Sequence, residues 1–309
     1  MKNLCHYTQS DLKKTLAAIY NNYEPIKYET IETDDYLYVK GLDECPVCLV
    51  CHLDTVFEDP YRYYTYASKP VVKKEAEPRR LEWFHDTEKK VLWSPDGAGF
   101  DDRTGVYIAL MLIDKGADVL FCTDEEVGCL GAKAFCKDYK EFPRKIKYFV
   151  ELDRAYFQDC VFYNCTNEEF QDYVETFGFI KDRGTYSDIY YLGPHFDVAC
   201  VNLSVGYFNE HEQIERLYYE YTDQTIEKVK AMLAEAGEEG VPYYDNGPEP
   251  PAPPTTYYSL YNDGTTQVLE GSEEGLYRSL VGDDYFQEED DIVSGTPVYD
   301  NTIINKKEV

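Results

Sequence analysis

The chain of 309 residues has room for one large or two modest domains, and 43% hydrophobic residues can bury a substantial core. Its formal charge of -29, from 59 acidic against 30 basic side chains, argues against nucleic acid or an anionic membrane as a partner, because phosphates would be repelled. The amino terminus, MKNLCHYTQSDLKKTLAAIY, carries no long apolar run, so neither a signal peptide nor a membrane span is expected and the expected location is cytoplasmic. Ten cysteines at irregular spacing then read as reduced thiols, several of them inside apolar runs such as VLFCT and DVACVNL.

In chain order, Ser10 to Tyr23 reads as a helix capped by Ser10 or Asp11, KYETIETDDYLYVKG as a hairpin and CLVCHLD as a buried strand. TGVYIALMLIDKG carries helical spacing with a stop at Gly116, followed by a strand (ADVLFCTDE), a short helix (GAKAFCKDY) and another strand (KIKYFVELD). NEEFQDYVETF is a helix and FDVACVNLSVG a strand, and a long amphipathic helix is expected from about Gln213 to Ala236. This alternation predicts an α/β protein, a three-layer α/β/α sandwich on a mixed, largely parallel sheet, whose ligand site lies at the carboxyl ends of the strands. It spans residues 1–236. Residues 237–309 read as a second region: a proline-rich linker, GPEPPAPPTT, and an acidic, Tyr-rich tail, partly disordered or forming a hairpin around Asn262-Asp263-Gly264.

Chemistry-bearing side chains recur where these strands end. His52 and Asp54, two apart, share a face, so Asp54 can sit beside the imidazole and fix its tautomer. GAGFDDRTG sets Asp101 and Asp102 between a glycine-rich turn and a helix, where a carboxylate can bridge two cations. CTDEEVG gives the adjacent Glu125 and Glu126, which point differently and suit two jobs, one holding a metal and one handling protons. FVELD ends at Asp153, and NLSVGYFNEHEQIE brings Asn209, Glu210 and His211. One acidic residue after a strand is ordinarily a helix cap or a solvated loop; five clusters at strand ends are harder to dismiss.

The ordered set HLDTV, GFDDRTG, TDEEVG, ELD and NEHEQIE resembles that of the co-catalytic di-zinc exopeptidases, the clan of bacterial leucyl aminopeptidase, peptidase T and the glutamate carboxypeptidases. The resemblance covers roughly residues 1–236. It implies two divalent cations, zinc with cobalt or manganese as alternatives: Asp101 bridges both, His52 and Asp153 complete one site, and Glu126 and His211 the other. It further implies Glu125 as general base, Asp54 as the partner of His52, and a cis peptide bond between Asp101 and Asp102. Glu215 follows at a His-x-x-x-Glu spacing found in some of these enzymes. Arg103 stands where a lysine is common, a mild departure because neither is a ligand. Asp153 and His211 are only 58 positions apart, too few for the inserted lid domain of some relatives. That favours the lidless, single-domain branch, in which GTYSDIYYLG resembles a Ser-Asp loop with Tyr186, Ser187 and Asp188 against the substrate.

The expected activity is hydrolysis of short peptides, as a metal-dependent aminopeptidase. The same metals would also serve a deacylase of N-acyl amino acids, and a catalytically dead fold offering its tail to a protein partner is a third reading. Oligomeric state is not legible. Cys45-x-x-Cys48-x-x-Cys51-His52 also spells a haem-attachment signature, but haem attachment needs export and a second axial ligand; a zinc knuckle lacks its second ligand pair, and a redox pair wants a turn opening a helix. The cysteines are therefore expected to pack a buried strand. His195 is expected at a strand entry and His85 in a packing role with Trp83 and Phe84.

Overall fold

The computed structural model describes residues 1–44, 46–57, 78–245, 256–260 and 266–270. The chain divides into two compact units, Met1–Pro248 and Glu249–Val309.

The first unit is built on an eight-stranded sheet. The hairpin β1 (Glu29–Glu32) and β2 (Tyr36–Lys40) forms one edge, followed in space by β6 (Asp118–Cys122), β3 (Cys48–His52), β7 (Phe149–Arg154), β10 (Cys200–Ser204), β8 (Asp159–Val161) and β9 (Ile180–Lys181). The four central strands β6, β3, β7 and β10 run parallel, with Cys51 opposite Phe121 and Cys200 opposite Phe149. They read as near-continuous apolar runs because both faces are covered, the pattern of a parallel sheet between helical layers. Helices α1 (Gln9–Asn21), α2 (Phe100–Met111) and α6 (Tyr219–Glu235) gather together: α2 packs on α6 and on β3 and β7, and the Tyr20 hydroxyl donates to the Ala109 carbonyl. Helices α3 (Leu130–Asp138) and α5 (Asp188–Phe196) pack together, α5 resting on β3, β7 and β10, while α4 (Glu168–Glu175) lies near the C-terminal end of α6 through Tyr173 and Met232. Between β7 and His211 the chain forms β8, α4, β9, α5, β10 and the short strand Tyr207–Phe208, all within the first unit, with no separate lid domain among these residues.

A smaller antiparallel sheet, β11 (Tyr207–Phe208), β12 (Arg216–Tyr218), β5 (Val91–Trp93) and β4 (Phe84–Asp86), accounts for one correction. The last helix does not begin near Gln213. Residues 216–218 extend to pair with β5, and the backbone pairing and the buried Leu217 outweigh helical periodicity, so the helix starts at Tyr219. A second correction concerns α1, whose cap is Thr8: its hydroxyl accepts the Asp11 N–H at 3.1 Å. Gly105 lets α2 lie close on β7, since a Cβ there would sit 2.3 Å from the Leu152 carbonyl oxygen. No helix among the described residues is long and apolar enough to cross a membrane.

Of the second unit, β13 (Thr256–Leu260) and β14 (Thr266–Glu270) pair antiparallel, Thr256 opposite Glu270. Cys45, the proline-rich stretch from residue 247 to 255 and Asn262-Asp263-Gly264 lie outside the described residues.

Candidate active site

Three adjacent parallel strands deliver side chains to one end of the sheet. His52 is the last residue of β3, Asp153 lies near the end of β7, and Glu125 and Glu126 follow β6 in a loop bent by Asp124, whose φ is +56°. Gln9 on α1 fixes that bend, its amide donating to the Asp124 carboxylate (3.1 Å) and its carbonyl oxygen accepting the Asp124 N–H (2.9 Å). Asp101 arrives from a turn that opens α2 through the left-handed Gly99 (φ +74°), and the Asp101–Asp102 peptide bond is cis.

These residues converge as two overlapping groups, His52, Asp101 and Asp153, and Asp101, Glu126 and His211, the ligand atoms of each lying within 4.8 Å of one another. His52 Nε2 is 2.9 Å from Asp101 Oδ1 and 3.4 Å from Asp153 Oδ1; His211 Nε2 is 3.1 Å from Asp101 Oδ2 and 2.9 Å from Glu126 Oε2. Asp101 therefore turns one oxygen to each histidine. Nδ1 of His52 sits 3.3 Å from Asp54, without a hydrogen bond of its own.

Supporting contacts surround this core. Asp54 accepts the backbone N–H of Glu125 (3.0 Å) with one oxygen and of Glu126 (3.2 Å) with the other. Glu215, fully buried, accepts the N–H groups of Gly99 (2.6 Å), Phe100 (2.9 Å) and Asp101 (2.9 Å), satisfying the donors that the turn into α2 would otherwise leave open. Asp102 lies beneath, accepting the N–H of His52 and of Gly105. Arg103 is buried as well, its guanidinium donating to the carbonyls of Leu53 and Tyr7, so this position holds the chain just after His52 in place.

The electrostatics of the set call for added positive charge. Burial and the facing Asp101 push Glu126 up to about 7 and Asp153 up to about 6, and burial lifts Glu125 to about 10. Hydrogen bonds to Asp101 and Glu126 raise His211 to about 11. Burial lowers His52, but Asp153 and Asp101 outweigh it and hold the imidazole well above its usual range. Glu126 Oε1 is buried without a hydrogen bond. Three carboxylates and two imidazoles aimed at a common space, with one buried Glu126 oxygen left unbonded, fit divalent cations of the nitrogen- and oxygen-binding kind.

The cleft over this set is small, about 190 Å³, and is lined by Asp101, Glu126, Asp153, His211, Glu125, Glu210 and the 184–187 segment among others. The Ser187 hydroxyl donates to Asp153 (3.0 Å), and Tyr186 is half exposed at the rim. Asp188 does not face the cleft. It opens α5 fully buried, its N–H donating to Glu151, because the helix turns its carboxyl inward under the sheet end. His195 is distant in role as well, its Nε2 donating to the Tyr139 carbonyl (2.8 Å), and His85 is exposed on β4 with its ring edge on Tyr219. The described cysteines of the CxxC run, Cys48 and Cys51, are buried in β3 with thiols pushed up by burial, inert packing groups. Two residues escaped the sequence reading: Tyr207, whose hydroxyl donates to Asp153 (3.1 Å), and Asn202, which brackets the Asp153 backbone by accepting its N–H and donating to its carbonyl. Nothing in SVGYF or VNLS marks either one.

No protein-family model and no curated protein matches this sequence. Solved structures do. An aminopeptidase PepT from Bacillus cereus matches with a TM-score of 0.53 at 14% identity, over 76% of this chain and 96% of that one. A tripeptidase from Staphylococcus aureus gives 0.54 at 12% identity over 75% and 95%. A glutaminyl cyclase from Tannerella forsythia gives 0.51 at 14% identity over 76% and 95%, so one fold serves more than one reaction. With a mostly parallel sheet between helical layers and acidic and histidine side chains gathered at its strand ends, this chain shares its fold with these solved structures.

Proposed function

We propose that the chain is a metal-dependent exopeptidase, an aminopeptidase of short peptides. The observation that carries the reading is the pair of three-residue groups sharing Asp101, with Glu125 beside them in the same cleft. His52, Asp101 and Asp153 would hold one cation and Asp101, Glu126 and His211 the other. Two such ions, when bound, supply a positive field that polarises the scissile carbonyl and acidifies the attacking water.

The remaining steps belong to the chain's own residues. Glu125 takes the proton of the attacking water and passes it to the leaving amine. Its burial favours the protonated form that delivers the proton to the leaving amine, and cations held beside it would favour the charged form that takes the proton first. Its Oε1 lies 3.5 Å from the Cys129 thiol and its backbone is tied to Asp54, so the side chain starts from a fixed root. Tyr207 and Ser187 each donate to one oxygen of Asp153, holding that carboxylate in line with His52.

The test is metal analysis followed by turnover on alanyl-alanine and on its N-acetyl form with zinc, cobalt or manganese. About two ions per chain and hydrolysis of the free-amino peptide are expected. Hydrolysis of the N-acylated compound alone would make the protein a deacylase instead, and a chain that binds no metal at neutral pH would refute the site.

A further inference from the structure

An exopeptidase needs a group that recognises a chain end. Five carboxylates line the cleft, those of Asp101, Glu125, Glu126, Asp153 and Glu210. Asp101 and Glu126 face His211, Asp153 is engaged by His52, Tyr207 and Ser187, and Glu125 is rooted at Asp54 as the proton carrier. The fifth is left over: among the described residues, the Glu210 carboxylate has no hydrogen bond and no ion pair.

Nor is Glu210 on a loose loop. Asn209 and His211 on either side both take left-handed backbone angles, φ +59° and +64°, so the chain turns sharply at this point. The Glu212 N–H donates to the Asn209 carbonyl and the Glu215 N–H to the Glu212 carbonyl, closing the segment on itself. At its far end Glu215 is locked to the Gly99–Asp101 turn, and at its near end β11 pairs with β12. The half-buried Glu210 is thereby held next to His211 on the wall of the cleft.

We infer that Glu210 receives the free α-ammonium group of the substrate and so makes the cleft selective for peptides with an unblocked amino terminus. This rests on the peptidase reading above and adds the group that separates an aminopeptidase from a deacylase. An α-amino group, with an ordinary pKa of about 7.7–8.0, is charged at neutral pH and makes a charge-assisted bond to a carboxylate. An N-acyl group offers only a neutral amide, and its bulk would strip water from Glu210 without replacing the lost interaction.

The experiment compares alanyl-alanine with N-acetyl-alanyl-alanine on the metal-loaded full chain. The wild type is expected to prefer the free amine in KM, and Glu210→Gln to shrink that preference roughly 10- to 100-fold, the scale of one charged hydrogen bond. Glu210→Asp should recover part of it. A preference unchanged in Glu210→Gln, or a KM change equal for both peptides, overturns the inference. Calorimetric binding of the same two peptides to Glu125→Gln and to Glu125→Gln with Glu210→Gln gives an answer independent of turnover. Loss of amine-selective binding in the double variant supports Glu210 whatever the rates are, whereas a wild type that cleaves neither peptide counts against the peptidase reading alone.

Discussion

The two three-residue groups share Asp101 but are built in opposite ways. The His52 side chain is 1% exposed, at the end of a central strand with Asp102, Asp54 and Arg103 packed around it. The His211 side chain is 52% exposed, on a turn with left-handed backbone angles. One histidine is placed by the core and the other by a loop. A ligand set in the core is shielded from solvent, while one on an exposed turn, however fixed its backbone, leaves its ion open to water. The difference predicts two cations of unequal tenacity, the His52 ion held tighter and the His211 ion exchanged more readily.

Asp101→Ala is the variant that abolishes the contrast, and it carries the largest effect: both ions should be lost together and turnover should fall to background, as read by metal analysis and a peptide assay. Retention of one ion at full affinity would show that the groups are separate sites. Glu125→Gln leaves the contrast intact, keeping both ions while kcat drops ~100- to 10,000-fold; full activity in that variant would remove Glu125 from its role.

The histidines themselves should then separate. His52→Ala removes a buried partner from three carboxylates and is expected to cost ~3 kcal/mol in the metal-free protein, whereas His211→Ala should cost less than ~1 kcal/mol and mainly weaken one ion. Denaturant melts of both variants decide this, and equal losses would erase the distinction.

The smallest effect is a slope with pH. Glu126, Asp153 and Glu215 are raised to about 7, 6 and 8, and His211 to about 11. Each binds its proton more firmly folded than unfolded, so each contributes stability at low pH that is lost as pH rises through its folded value. Asp101 shifts the other way, but its loss falls below pH 4, outside this window. Metal-free protein should thus melt at lower temperature at pH 8 than at pH 5, and added zinc should stabilise it more at pH 8. A metal-free melting temperature that rises across this range would contradict the assignment.

Much of this was legible from sequence because parallel strands announce themselves as short apolar runs and their last residues then fall at one end. CLVCH, DVLFC and FVELD gave strand, terminus and ligand candidate together, and the cysteines that dominate CPVCLVCHLDTV proved to be filling for β3 where described. Long-range pairing was invisible. Arg216–Tyr218 follows the helical spacing of what comes after it and becomes a strand only because β5 waits for it. Asp188 looked like a pocket residue beside Ser187, yet one step along the backbone turns it from the cleft into the core. Tyr207 and Asn202 lie in ordinary strand sequence, and only folding sets them against Asp153.

Asp54 touches three neighbours at once: the imidazole of His52 and the backbone N–H groups of Glu125 and Glu126. It therefore gears the end of β3 to the loop after β6, so that His52, the proposed ion ligand, and Glu125, the proposed proton carrier, cannot be adjusted separately. Losses from Asp54→Asn and Glu125→Gln should fall well short of adding in a double-mutant cycle, since the first already displaces what the second disables. The coupling also constrains how such a site can diverge: a change of chemistry at Glu125 that needs its backbone moved must first find another way to hold His52.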